Sequence, residues 1–407
     1  MKRRLELWTQ GSRVGRLEFK KRVLLTYEPD YVTLRGVGRP GVSCSLLCSD
    51  QSIDATAWCR GLLPEGQHLA TLAANIGVST GDTFGLLRHY GRDVAGAFEV
   101  LDPVAPNRMT PAIVRYTDDD LRNEVESVAD GSVPLGIHDD SELSLAGVQN
   151  KLLLVQTQSG WARPTGGFPS THIMKLDPQN RRGLVNAEHH SLLLARSVGL
   201  NAAVSHLADH SGITCIIVER FDRQVTDNPK TGPIVKRLHQ EDLLQALGSD
   251  PGAQQGRVKY QASPQQPSLW HLAEFIRRFG DDADLFRLLS YVTFNTVIGN
   301  GDAHARNYSL LLDDAGAVAL APLYDTVPTA LWPELKDRNA LWVNDQTKLS
   351  AVTRTDLLLE AQRWGLESSL AAATIDTVLE AIQLAARLVD HPSLCALVRA
   401  NTERLRT

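Results

Sequence analysis

The chain has 407 residues, 43% of them hydrophobic and 22% charged, with a formal net charge of -5 and a pI near 6.2. This length and composition support more than one hydrophobic core and exclude disorder as the default. The acidic balance excludes a surface built throughout to hold nucleic acid. Met1-Lys-Arg-Arg has no apolar segment behind it, and no later stretch reaches the roughly 18 uninterrupted apolar residues of a membrane span, so a cytoplasmic protein without a membrane partner is expected. The five cysteines (Cys44, Cys48, Cys59, Cys215, Cys395) are odd in number and form no Cys-x-x-Cys pair, so they read as small core residues.

Residues 1–105 are expected to form a β-rich subdomain with a helical insert. Val14 to Phe19 and Val23 to Tyr27 alternate like strands, whereas Ala70 to Ile76 and Asp82 to His89 have helical spacing. The turn-rich segments 62–66 and 91–96 read as loop punctuation. In a second part, 106–236, an acidic helix-favouring stretch from Thr110 to Gly136 leads into the loop and strand Leu143 to Val155. A hairpin around Ser159-Gly160 follows, then the strand His172 to Leu176, which carries Lys175. Asn186 is the expected N-cap of a helix running to Leu200 and bearing Glu188, and an apolar strand Ile213 to Phe221 turns polar at Glu219. Residues 249–268, rich in Gln, Gly, Pro and Ser, are expected to be an exposed, mobile connection. The third part, 237–407, reads as mostly helical: Gln240 to Leu247, Leu269 to Phe279, Asp284 to Ile298, Thr355 to Trp364 and Ile375 to Val389. The exception is a hairpin, Tyr308 to Asp313 and Val318 to Leu323, around Asp314-Ala-Gly316.

That hairpin organises the chemistry. Asp302 precedes it, Asn307 stands at its entry and Asp325 follows its exit, so antiparallel pairing brings two oxygen ligands to one open end beside an acid. An acid, an amide and a second acid in this order match the catalytic base and magnesium ligands of protein kinases. One amide and one carboxylate suit magnesium, a hard cation that shares its shell with substrate phosphates. The pair Asp302-x-His304 lacks the further His or Cys that zinc requires. Lys175 on a strand, with Glu188 on the next helix to orient it, would meet the nucleotide phosphates. The loop from Ser144 to Lys151 holds one glycine and matches neither the Walker A nor the kinase Gly-x-Gly-x-x-Gly pattern.

Ser144-Leu-Ala-Gly-Val-Gln-Asn-Lys151, Thr171-His-Ile-Met-Lys175-Leu, Asn186-Ala-Glu188, Val218-Glu-Arg-Phe-Asp-Arg223, Arg237-Leu-His-Gln-Glu-Asp242, Gly299-Asn-Gly-Asp302-Ala-His-Ala-Arg-Asn307 and Leu323-Tyr-Asp325 occur in an order that resembles the HipA toxin family. Leu63-Pro-Glu-Gly66 and Gly91-Arg-Asp-Val-Ala-Gly96 are similar to that family's first subdomain, so the likeness spans nearly the whole chain. The resemblance implies an α+β, kinase-like two-lobed fold with an N-terminal mixed α/β domain and a mostly α-helical C-terminal domain. It implies a serine/threonine protein kinase using ATP and magnesium, with Asp302 as catalytic base and Asn307 and Asp325 as metal ligands. ATP would contact Ala146, Gly147, Val148, Gln149, Asn150, Lys151, Lys175, His304, Ala305, Arg306 and Asn307, together with Glu219, Arg220 and Phe221. Glu219 and Phe221 would reach the adenine through their backbones. Ser144 matches an autophosphorylated serine that silences the enzyme. The implied partners are a helix-turn-helix, HipB-like antitoxin, operator DNA through the antitoxin complex alone, and a protein substrate such as an aminoacyl-tRNA synthetase. A small-molecule kinase, with the same Asp and Asn order, and a non-catalytic corepressor that scaffolds the antitoxin on DNA stand as alternatives.

Overall fold

A computed structural model of the chain describes residues 3–104, 110–130, 151–178, 181–228, 232–264, 267–335 and 337–406. The first sheet is antiparallel, in the order Ile53–Asp54, Val23–Tyr27, Ser12–Phe19, Arg3–Thr9, Glu99–Leu101. Alternation drives it: Leu5, Leu7, Val14, Leu17, Val23 and Leu25 all point to one core, where they meet Trp58, Tyr90 and Phe98. The helices Gly66–Asn75 and Thr83–Tyr90 supply much of the rest of that core and correspond to the expected helical insert.

The second sheet has six strands in the order Ser205–His210, Ile213–Glu219, His172–Leu176, Lys151–Thr157, Gly160–Thr165, Ala112–Arg115. Both its faces are covered. Cys215 and Ile217 join Leu152, Leu154, Met174 and Leu176 under the helix Asp118–Asp130, whereas Ile216 and Val218 face the main core with Val185 and Leu192 of the helix Leu184–Ser197. The register sets Lys175 directly opposite Lys151. Asn186 is not the cap of the helix Leu184–Ser197 but lies within its first turn. Asp177 takes the helix-start amides instead, accepting from Gly183 N at 2.6 Å and Val185 N at 2.8 Å.

The remainder packs around the almost wholly buried helix Ala283–Ile298, with the helices Leu269–Phe279, Arg354–Arg363, Ser368–Ala385 and Pro392–Arg406 contributing to the same core. By length and composition Ser368–Leu388 could cross a membrane, but Ala371, Ile375, Val378, Leu379 and Ile382 fix one face of it in the core. The hairpin strands Ser309–Leu312 and Val318–Leu320 pair antiparallel as expected. They are joined by a third strand, His239–Asp242, so the expected helix Gln240 to Leu247 is in fact half strand and half a short helix, Leu243–Ala246. Asp242 divides the two with a capping box on Gln245. Residues 249–268 also differ from expectation. They contain the 3-10 turn Ala253–Lys259, bury Val258, and are tied down where Gln261 N donates to Ala340 O at 2.8 Å and Trp342 N donates to Gln261 Oε1 at 2.9 Å.

Candidate active site

A cleft of roughly 1630 Å³ opens where the six-stranded sheet, the three-stranded sheet and the segment 257–262 meet, and Lys151, Lys175, Glu188, Asp302, Asn307 and Asp325 all line it. The parallel bridge of Ala202 with Leu323 carries the chain after the hairpin back against the second sheet, which brings Tyr324 and Asp325 to Lys175. Asp325 is held at φ 54°, a left-handed conformation that a non-glycine residue adopts at a cost.

Lys175 Nζ donates to Glu188 Oε1 at 2.7 Å and to Asp325 Oδ1 at 2.9 Å. Burial opposes its charge, but the two carboxylates overcome this and raise its pKa. Burial pushes Glu188 up despite Lys175, and its second oxygen, Oε2, has no hydrogen-bond partner among the described residues. Burial acts likewise on Asp325, but there Lys175, followed by His304 and Lys151, prevails and holds the carboxyl below the usual range. Lys151 lies across the strand pair, buried, with its pKa drawn down to about 7 by burial and then by Lys175 and Arg306. Directly opposed like charges are destabilising in a sheet, so an anion such as a triphosphate would suit this corner.

Across the cleft, Asp302 N donates to Asn300 Oδ1 at 3.1 Å, and Asp302 O accepts from His304 N at 2.7 Å and Asn307 Nδ2 at 3.1 Å. These bonds accompany the 3-10 turn Ala305–Asn307 and commit the Asn307 amide nitrogen as a donor, leaving its oxygen as the atom that could take a cation. One amide oxygen and the Asp325 carboxylate are hard donors of the kind magnesium takes. Gly301 lets the loop lie close to its neighbour, because a Cβ there would stand 2.6 Å from Arg338 O. His304 is buried with Nδ1 unpartnered among the described residues, and burial lowers its pKa.

Residues 143–386 match the family model for the HipA-like C-terminal domain, and residues 5–101 match that for the HipA N-terminal domain. The chain belongs to the HipA family. A putative kinase, Y4mE, of Sinorhizobium fredii is 31% identical to it over 349 residues, covering 82% of this chain and 78% of the relative. The serine/threonine-protein kinase toxin HipA of Shewanella oneidensis is 28% identical over 330 residues, covering 79% and 74%. With these relatives goes protein kinase activity. In the fold comparison, the Shewanella oneidensis HipA structure, solved with HipB and operator DNA, aligns at a TM-score of 0.80 and 24% identity over 98% of this chain and 95% of that one. That likeness establishes the α+β, kinase-like fold.

Within this HipA-family cleft the remaining expected residues behave differently from one another. Ser144 and Ala146 to Asn150 lie outside the described residues. Glu219 ends its strand with its N–H already donated to Val204 O at 2.9 Å, so only its carbonyl could face an adenine. Phe221 stands 5.3 Å from Tyr324, ring centre to ring centre, both on the cleft wall. Ala305 is fully buried beneath the loop. Arg220 lines the cleft, but its guanidinium is taken by Asp222 at 2.9 and 2.8 Å and by Ser170 Oγ at 2.8 Å. Arg306 is likewise engaged by Asp242 at 3.0 Å, by Glu65 and by Gly61 O at 3.1 Å.

The two loops read as punctuation supply these anchors. Glu65 of segment 62–66 bridges Arg306 and Lys259, and Asp93 of segment 91–96 pairs with Arg223 at 2.9 Å and accepts from Ser170 Oγ at 2.8 Å. Sequence reasoning also missed Tyr260, whose hydroxyl donates to Asp302 Oδ1 at 3.0 Å. The only signal for it is a Lys259-Tyr260 pair inside an otherwise Gln-, Gly- and Pro-rich stretch.

Proposed function

We propose that this HipA-family kinase transfers the γ-phosphoryl group of ATP to a serine or threonine hydroxyl of a protein. The observation that carries the reading is the in-register pair of Lys151, buried, and Lys175, half-buried and held by Glu188 and Asp325, on the cleft wall opposite an Asp302 fixed through its backbone. Lys151 and Lys175 would hold the phosphates, the latter oriented by Glu188. Magnesium bound by Asn307 and Asp325 would supply counter-charge to the phosphate oxygens. Asp302 takes the proton of the acceptor hydroxyl as the new O–P bond forms and the bond to the leaving ADP breaks. The Phe221 and Tyr324 rings and the Glu219 carbonyl suit an adenine.

A cleft of roughly 1630 Å³ exceeds the ~300–1,000 Å³ of an ordinary small-molecule pocket, which favours a nucleotide together with a protein segment over two small substrates. Ser144 lies just upstream of Lys151. Its phosphorylation would add a dianion that competes with the nucleotide phosphates. By family, the further partners are a HipB-like antitoxin, operator DNA reached through it, and a translation component such as an aminoacyl-tRNA synthetase as target. Incubation with ATP and magnesium should phosphorylate the chain at Ser144, and expression in cells should phosphorylate one target protein. Asp302→Ala should abolish both signals. Their persistence in that variant would remove Asp302 from the mechanism, and a variant as growth-inhibitory as wild type would favour the corepressor reading.

A further inference from the structure

The base has a neighbour that the kinase reading leaves without a role. Tyr260 Oη donates to Asp302 Oδ1 at 3.0 Å, and among the described residues no other donor reaches that carboxylate. One oxygen is therefore committed, and Oδ2 remains to take a proton.

The tyrosine is itself held from several sides. Arg338 lies over its ring at 4.2 Å from the centroid, and His304 meets the ring edge-to-face at 5.4 Å. On the chain before it, Lys259 Nζ pairs with Glu65 Oε2 at 3.1 Å, and after it Gln261 is bonded to Ala340 and Trp342. Glu65 also grips Arg306, inside the same loop as Asp302 and Asn307. The segment carrying the tyrosine and the loop carrying the base are thus fixed to one carboxylate, which makes their spacing rigid. A carboxylate on a short side chain rotates about two bonds, and a charge-assisted hydrogen bond from a clamped donor removes that freedom.

We infer that Tyr260 is a positioning residue for phosphoryl transfer: its hydroxyl fixes Asp302 Oδ1 so that Oδ2 is presented to the acceptor hydroxyl. The inference rests on Asp302 being the base. A pre-aimed base adds to the rate of transfer without altering how ATP is held, because Tyr260 touches neither Lys151 nor Lys175 nor their acids.

The test compares Tyr260→Phe, which keeps the ring contacts and deletes the hydroxyl, with wild type and Asp302→Ala. Each is assayed for kcat and KM of phosphoryl transfer and for thermal midpoint. The expected result is a kcat lower by about tenfold or more, the cost of one lost hydrogen bond to a charged group. The KM for ATP should stay within about twofold and the midpoint should be unchanged. An unchanged kcat overturns the proposal. A raised kcat or a lowered protein-substrate KM also overturns it, since the hydroxyl would then be occupying the acceptor's place. A fall in kcat matched by a fall in thermal midpoint, or by a rise in KM for ATP, overturns it in favour of a structural role. If Asp302→Ala retains transfer, the base assignment itself fails. If Asp302→Ala is dead and Tyr260→Phe equals wild type, Tyr260 alone is ruled out.

Discussion

Lys151 faces Lys175 across an antiparallel strand pair, and burial, Lys175 and Arg306 together bring its ammonium from an ordinary 10.5 down to about 7. The folded state therefore binds fewer protons than the unfolded state between about pH 7 and 10.5. In the free protein this residue's contribution to stability is fully present only above 10.5 and is lost as pH falls through 7. A polyanion at the same corner reverses the balance by restoring the charge. Binding of an ATP analogue with magnesium should take up close to one proton at pH 8.5 and almost none at pH 6. Calorimetry in two buffers of different ionisation enthalpy measures that uptake, and Lys151→Met should abolish it. Equal heats in both buffers at pH 8.5 would show that the phosphates do not meet Lys151.

Between elements, one tie is a buried ionic cluster. Asp93, in the loop before the strand Glu99–Leu101, and Asp222, just past the second sheet, together neutralise Arg220 and Arg223, with Arg237 at the cluster's edge. Burial opposes both carboxyls, but the arginines hold each below the usual range. Removing one member of a buried set leaves unbalanced charge, so Asp93→Ala should lower stability by about 3–5 kcal/mol, read as a shift in urea midpoint at pH 7. A change under 1 kcal/mol would mean that water reaches the arginines freely. The helices Leu269–Phe279, Ala283–Ile298 and Arg354–Arg363 were legible because a 3.6-residue apolar period is local information. The order Asp302, Asn307, Asp325 was legible because one hairpin sets the distances. His239–Asp242 was not, since its strand partner lies about seventy residues further on, and a polar strand next to helical spacing carries no period of its own. Asp177 was missed as helix cap because it precedes the helix by several residues. Asp93, Glu65 and Tyr260 looked like loop residues, their partners being more than forty residues away in each case.

At the scale of the whole molecule, residues 3–101 are part of the frame of the cleft rather than an appendage, because Glu65 holds the loop that carries Asp302 and Asn307 and Asp93 holds the end of the second sheet. A third contact has a different character. Glu241, on the strand His239–Asp242, is fully buried against the turn between Pro40–Ser43 and Leu46–Leu47. Its Oε1 accepts from Cys44 N at 2.7 Å, while Oε2 has no partner among the described residues. Burial raises its carboxyl from 4.5 to about 7, despite the hydrogen bond from Cys44 N. Between those two pH values the folded state holds a proton that the unfolded state has released. Its stabilising contribution is thus fully present below about 4.5 and is lost as pH rises through 7. Above that, a carboxylate with no cation paired to it among the described residues is enclosed between the hairpin 40–47 and the three-stranded sheet. Glu241→Gln keeps an acceptor for Cys44 and removes the charge. It should therefore melt higher than wild type at pH 8, by an amount on the order of 3 kcal/mol, and the two curves should converge near pH 5. Scanning calorimetry at both pH values checks this, and a variant that melts lower than wild type at pH 8 would mean that the buried charge has a partner which the turn at Ser43 and Cys44 does not supply.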